Sequence, residues 1–318
     1  DIEMPRMDGI TFVSKLMIAR PMPVIMVSAL TDAGASATVK ALEAGAMDFI
    51  LKPQIDDTGA WRTFSDELIE KVVAAAGSKI KRRIAPAAEP AAGMTVDKKF
   101  TADVILPKKT GETARLRTEQ IIAIGASTGG TEVIAEILSS LPAEMPGIVI
   151  VQHMPPTFTR LYAERLNETC AMAVKEAADG DEIVPGRALI APGGLHMTVA
   201  RDKGGMIAEC RPGDKVNGHC PSVDVLFESV AMLKNVDALG IILTGMGSDG
   251  AKGLLAMRNA GAETIGQDQK TCVVYGMPAV AANIGAVQFQ LPLGDIARRI
   301  YGWSTGYAVK QFRCKTTL

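Results

Sequence analysis

IIAIGASTGGTEVIAEILSSL (residues 121–141) sets four apolar residues before a turn of small residues, then an apolar pattern that recurs every three to four positions. Ile121–Ile124 therefore reads as a buried strand and Thr131–Leu141 as a helix with one apolar face. Strand, tight turn and helix form the repeating unit of a parallel sheet covered by helices. The rhythm continues downstream. Pro146–Gln152 and Ala238–Leu243 are expected strands, followed by helices over Phe158–Asn167 and Ala251–Asn259. Arg187–Ala191 and Thr198–Arg201 read as strands joined by the turn APGG, with 204–209 returning as the second arm of a hairpin. Ser222 is placed to cap a helix reaching Leu233, and Thr271–Tyr275 reads as a further strand. The expected class is α/β: a C-terminal, doubly wound, mostly parallel sheet with helices on both faces and an antiparallel hairpin.

Upstream the pattern is similar but shorter. Pro23–Ala29 and Asp48–Lys52 read as strands among helices over Thr11–Arg20, Asp32–Ala44 and Trp61–Ile80. Between the two regions lies a basic run, Lys81-Arg82-Arg83, then APAAEPAAG (85–93) and a polar stretch, the composition of a semi-extended linker. The expected division is an N-terminal unit over 1–80, a linker over 81–117, a C-terminal unit over 118–301 and a tail over 302–318.

Composition narrows the function. Of 318 residues, 47% are hydrophobic and 22% charged, with a net charge of −1, so neither nucleic acid nor an anionic membrane attracts the chain as a whole. Five cysteines without a C-x-x-C pair argue against a disulfide framework or a zinc site, and fit a reducing cytoplasm. Apolar runs such as Ile148–Val151 fall far short of the roughly 18 residues of a membrane span. The chain opens on Asp1, and an upstream segment is expected.

Ligands of open parallel sheets gather at the carboxyl ends of the strands. Three reactive side chains follow strands directly: Ser127 after IIAI, His153 after GIVIVQ, and Asp249 after ALGIIL and its turn TGMGSDG. Serine, histidine and aspartate on one sheet edge are the parts of an acyl-transfer site. Gly125 to Gly129 fits G-x-S-x-G, the pattern of a nucleophile elbow, but on that segment alone a phosphate-binding turn is an equal reading. His196 and His219 compete with His153, and His219 falls in a polar loop. Asp224, in a first helical turn, and Asp268, in a loop, compete with Asp249. The order Ser…His…Asp differs from that of α/β-hydrolases.

Together, IGASTGG (124–130), QHMPPTFTRLYAERLN (152–167), APGGLHM (191–197), PSVDVLF (221–227), ILTGMGSDGA (242–251) and VVYGMP (273–278) resemble the CheB family of chemotaxis protein-glutamate methylesterases. The resemblance implies that Ser127, His153 and Asp249 form the catalytic set. It also places Thr128 beside the histidine and gives the Met246 backbone N–H a share of the oxyanion hole. DIEMPRMDG (1–9) resembles the phosphoacceptor segment of a flavodoxin-like receiver domain. That implies phosphorylation at Asp1, a switch hydroxyl at Ser28, a phosphoryl-contacting lysine at Lys52, and Mg²⁺ held with Asp1 and Glu3. The acidic pair that normally holds the cation would lie upstream, so a partial receiver, not competent for phosphorylation, is expected. By the same resemblance no cofactor serves catalysis, the substrates are methyl-accepting chemoreceptors, a chemotaxis histidine kinase is the phosphodonor, and the protein is a cytoplasmic monomer. Cys220 stands where an arginine is expected in many relatives, and the tail after about residue 300 has no counterpart in the resemblance.

Overall fold

The computed structural model describes residues 1–2, 4–28, 31–53, 58–78 and 119–306. The linker expected over 81–117, Glu3, Cys314 and the last twelve residues of the expected tail lie outside them.

The N-terminal unit runs α1 (Gly9–Ala19), β1 (Ile25–Ser28), α2 (Asp32–Glu43), β2 (Asp48–Leu51) and α3 (Thr58–Ala76). β1 and β2 pair in parallel. α1 starts where Asp8 caps it, its carboxylate accepting from the Thr11 N–H at 2.8 Å. β1, β2, α1 and α2 fall within two residues of their expected bounds, whereas α3 starts three residues before and ends four residues before the helix expected over Trp61–Ile80.

The C-terminal unit opens with β3 (Gln120–Ala126), α4 (Gly130–Ser139), β4 (Gly147–Gln152) and α5 (Phe158–Thr169). β5 (Ala173–Glu176), β6 (Asp181–Glu182), β7 (Arg187–Ile190), β8 (His196–Asp202) and β9 (Gly205–Arg211) follow. The chain then runs α6 (Val223–Ala231), β10 (Asp237–Ile242), α7 (Ala251–Asn259), β11 (Glu263–Gln267), α8 (Met277–Asn283), β12 (Phe289–Leu291) and α9 (Leu293–Thr305). Seven strands form one wholly parallel sheet in the order β12-β11-β10-β3-β4-β7-β5. β6, β9 and β8 make a separate antiparallel sheet containing the expected hairpin.

Period-two alternation explains how the central strand is buried on both sides. Ile122 and Ile124 of β3 join the layer of α4, α5 and α9, whereas Ile121 and Ala123 join that of α6, α7 and α8. All four are fully buried. A doubly wound sheet with helices on each face is what the sequence implied.

Two expectations need correction. Thr271–Tyr275 is not a strand; the flanking strands are β11 and β12. Apolar Val273 and Val274 suggested extension, but the Thr271 N–H and hydroxyl both donate to Asp268 Oδ1, at 2.9 and 2.6 Å. That local competition turns the chain, leaving only an isolated bridge between Gly245 and Tyr275. The expected boundary at 301 also falls inside α9, whose Trp303 packs against the core.

Candidate active site

The sheet order places β10, β3 and β4 side by side, so the segments that follow them meet although they are far apart in sequence. Ser127 follows β3 at the turn into α4. The left-handed residue there is Gly129, with φ 76°, and no positive φ occurs at Ser127 itself. The turn is held by backbone bonds from Ser127 N–H to Thr244 O at 3.0 Å and from Gly130 N–H to Ser127 O at 2.7 Å. Gln152, the last residue of β4, adds Nε2 to Ser127 O at 2.9 Å.

His153 comes next, its backbone N–H donating to Ala126 O at 3.2 Å. Its Nε2 lies 2.9 Å from Asp249 Oδ2, with side-chain exposures of 7% and 1%. A carboxylate only accepts, so Nε2 carries the hydrogen and Nδ1 presents the lone pair. Nδ1 is buried and has no hydrogen-bond partner. The aspartate–histidine half of the expected relay is thus formed, and the Ser127 hydroxyl is not hydrogen-bonded to Nδ1. Catalytic hydrogen bonds often close only around substrate.

Asp249 is the most heavily solvated carboxylate of the site, with protein groups in place of water. Oδ1 accepts from Asn217 Nδ2 and Ser222 Oγ, both at 2.8 Å, and from Asp224 N–H at 3.2 Å. Oδ2 accepts from Val223 N–H at 2.7 Å and from His153. Burial favours the protonated form, but donation by His153, Asn217 and Ser222 outweighs it and holds Asp249 well below the usual carboxylate range. Ser222 caps α6 as expected and also donates to Asp249. Asp224 does more than the helix-capping role its position suggested. Its carboxylate is buried and accepts from Asn217 Nδ2 and Gly253 N–H, both at 2.7 Å. Asp268 serves its own turn, as a loop acid.

The other histidines separate clearly. His196 is buried; its Nδ1 accepts from Ser222 N–H at 3.3 Å and its Nε2 donates to Asp214 O at 2.8 Å. His219 is not an inert loop residue: its ring stacks on His153, with centroids 3.6 Å apart. Burial, then the nearby His153, Lys71 and Lys215, lower its pKa to about 4 against the pull of Asp249. Between that value and the ordinary one near 6.5 the unfolded chain binds a proton that the folded chain refuses. Stability should therefore fall as pH drops through this window, by at most about 1.4 kcal/mol per unit for one group. His219→Phe should flatten that part of the profile, which urea unfolding at successive pH values will read.

Thr128 does not hydrogen-bond to His153. Its buried hydroxyl donates to Asp48 Oδ2 of β2 at 2.7 Å, and Asp48 also pairs with Lys71 of α3 at 2.9 Å. Phe49 stacks on Phe158 of α5, with centroids 4.6 Å apart, and Glu43 of α2 pairs with Arg165 of α5. The N-terminal unit therefore packs beside the turn that carries Ser127. Met246 follows Gly245, whose carbonyl accepts from the Gly276 and Met277 N–H groups at 3.1 and 2.9 Å. In a trans peptide the N–H points opposite the carbonyl, so the Met246 N–H faces away from the start of α8. Cys220 is half-buried, and its carbonyl accepts from Gly194 N–H at 3.1 Å.

In the N-terminal unit, Lys52 Nζ lies 2.5 Å from Asp1 Oδ2. The Ser28 hydroxyl accepts from Thr38 Oγ1 at 2.7 Å. No three His, Cys, Asp or Glu residues converge to hold a metal among the described residues. Asp1 alone does not make the oxygen shell that Mg²⁺ demands, so the described donors do not fit that ion.

A family model described as CheB methylesterase matches residues 122–300, more than half of the chain. The chain belongs to the CheB methylesterase family. A second model, the response regulator receiver domain, matches residues 1–59. Among curated proteins, protein-glutamate methylesterase/protein-glutamine glutaminase 1 of Geobacter metallireducens is 47% identical over 313 residues, covering 98% of this chain and 84% of that one. Protein-glutamate methylesterase/protein-glutamine glutaminase 2 of Xanthomonas campestris pv. campestris is 51% identical over 300 residues, covering 94% and 85%. The crystal structure of the CheB methylesterase catalytic domain of Thermotoga maritima superposes with a TM-score of 0.57 at 38% identity, covering 58% of this chain and 98% of that one. The family is one of hydrolases joined to a receiver, as the motifs implied.

Sequence reasoning missed Asn217 and Ser222 as partners of Asp249, and weighed His219 only as a rival of His153, not as the ring stacked on it. The available signal was the dipeptide Asn217-Gly218, a tight-turn pair shortly before the cap at Ser222.

Proposed function

We propose that this chain hydrolyses glutamate 5-methyl esters on chemoreceptors, releasing methanol, and deamidates receptor glutamines through the same acyl-enzyme. The observation that carries this reading is the buried His153–Asp249 pair beside Ser127, on the strand edge of a CheB-family domain. Ser127 Oγ attacks the ester carbonyl, and its proton goes to His153 Nδ1, the ring nitrogen left without a partner. The Asp249 carboxylate, kept ionised by its five donors, steadies the imidazolium. The Met246 N–H, aimed away from α8, supplies an oxyanion donor. Such a donor contributes about 3–4 kcal/mol to the transition state. The proton then passes to the leaving methoxide, or to the amine in deamidation. Water next hydrolyses the acyl-enzyme, with His153 again as base. Both halves draw on these side chains, the Met246 N–H and water. Methanol release from methylated receptor membranes, measured with the full chain, tests the reading; membranes that lose no methanol with enzyme in excess would refute it.

Residues 1–80, joined through a linker over 81–117, act as a receiver unit that restrains the catalytic unit. Its phosphoacceptor is Asp1, with Lys52 and Ser28 as the responding groups and a chemotaxis histidine kinase as the phosphodonor, in a receiver completed by the acidic pair expected upstream. No described helix is long and apolar enough to cross a membrane. Acting on receptor glutamates as proposed, the chain works as a monomer in the cytoplasm. The contact of α2 with α5 offers a direct test, since Glu43 and Arg165 are both exposed. An exposed pair contributes about 0.2–1 kcal/mol, so Glu43→Arg should raise basal methanol release by about 1.4- to fivefold. The double variant Glu43→Arg/Arg165→Glu should return it to the parent rate. Equal rates in all three would separate this contact from regulation.

A further inference from the structure

The loop between β9 and α6 builds a second aromatic wall for the site. Val216 and His219 exchange both backbone hydrogen bonds at 3.0 Å, and Asn217 and Gly218 between them have φ of 52° and 83°. Asn-Gly suits such a two-residue turn, because both positions require left-handed backbone. Asn217 Nδ2 pins the tip, donating to Asp224 Oδ2 at 2.7 Å and Asp249 Oδ1 at 2.8 Å. His219 therefore leaves the turn in a set direction. Its ring lies flat on that of His153, centroids 3.6 Å apart and planes 15° from parallel.

His153 is otherwise held through its ring by one hydrogen bond, from Nε2 to Asp249. A ring tethered at one corner can pivot about that bond, and a pivot would change where the unpartnered Nδ1 points. We propose that His219 is a positioning residue for ester hydrolysis, a flat aromatic plate that stops His153 from pivoting and keeps Nδ1 turned toward Ser127. The inference rests on His153 being the base of the proposed reaction. The plate serves a second end, since a neutral aromatic face attracts the cation that His153 becomes after taking the serine proton. His219 stays uncharged through the neutral range, because burial and the charges of His153, Lys71 and Lys215 oppose its protonation while Asp249 alone favours it. Two stacked imidazolium rings would repel, so the plate works only because it remains neutral.

The test measures methanol release from methylated chemoreceptor membranes by the 318-residue chain and by His219→Ala, His219→Phe and Ser127→Ala. His219→Ala should lose about ten- to a hundredfold in kcat with KM held within about twofold, the scale expected of a misaligned catalytic group. His219→Phe keeps the plate without its nitrogens, and should recover to within about threefold of the parent. Full kcat in His219→Ala overturns the inference. So does a His219→Phe variant as slow as His219→Ala, which would assign the role to an imidazole nitrogen, or a change confined to KM, which would assign it to substrate binding. Ser127→Ala separates the two levels. If it turns over like the parent, the hydrolase reading itself fails; if it is silent while His219→Ala is fully active, only the positioning role fails. Should His219→Ala not fold, as judged by circular dichroism, His219→Leu fills the volume without a flat face. Leu as fast as Phe then overturns the plate, and Leu at least tenfold slower supports it.

Discussion

Ser127→Ala should abolish methanol release, lowering kcat by about 10⁶-fold if the residues act as a unit in the manner of other serine hydrolases. The fold should be unaffected. Ser127 contributes its backbone to the turn, through Thr244 O and Gly130 N–H, and its hydroxyl makes no hydrogen bond among the described residues, so removing Oγ leaves every tie described there in place. Melting temperature should therefore stay close to that of the parent while turnover disappears. That separation is diagnostic. A phosphate-binding turn, the rival reading of residues 125–130, predicts nucleotide binding and indifference to this substitution. A single-turnover experiment with labelled methyl ester should also show no acyl-enzyme in Ser127→Ala; methanol release within tenfold of the parent would remove Ser127 from the mechanism.

Asp249→Asn should be nearly as damaging, and in two measurements at once. The carboxylate accepts five hydrogen bonds on two oxygens. An amide offers one acceptor oxygen and an NH₂ that would face donors from Val223, His153 or Ser222. His153 would then be left without its anion and without a defined tautomer, and kcat should fall by about 10⁴-fold. Leaving buried donors facing one another should also reduce stability by about 3–5 kcal/mol, which urea unfolding will show. The depressed pKa gives the sign of its pH dependence. The unfolded chain takes up the proton near pH 4 and the folded chain only below that, so the stabilisation from Asp249 is complete above about pH 4 and lost as pH falls further. Asp249→Asn should lack that acid limb. A variant with parental turnover would show that the anion is dispensable.

The parts of the site that could be read from sequence are those announced by strand ends. Ile121–Ile124 is apolar at every position because both faces of β3 are buried, and a parallel sheet directs whatever follows such strands to one edge. Ser127, His153 and Asp249 were legible for that reason. Asn217 and His219 were not, because their roles depend on how a loop folds back across the sheet, a long-range matter that local pattern does not encode. β11 was missed because Glu263–Gln267 carries polar residues at both ends and a glycine within. Thr271–Tyr275 was misread because two valines outweighed the Asp268 turn that bends the chain. Thr128 was placed with the histidine by resemblance, whereas its hydroxyl turns to the N-terminal unit. A contact between units separated by the linker cannot be read from either unit alone.

β2 has consequences out of proportion to its four residues. Asp48 opens it and takes the hydroxyl of Thr128, next to Ser127; Lys52 follows it and grips Asp1. At about 3.3 Å per residue the two grips are roughly 13 Å apart along extended backbone. One short strand thus carries both grips, and a shift of β2 as a rigid piece would pull on both at once.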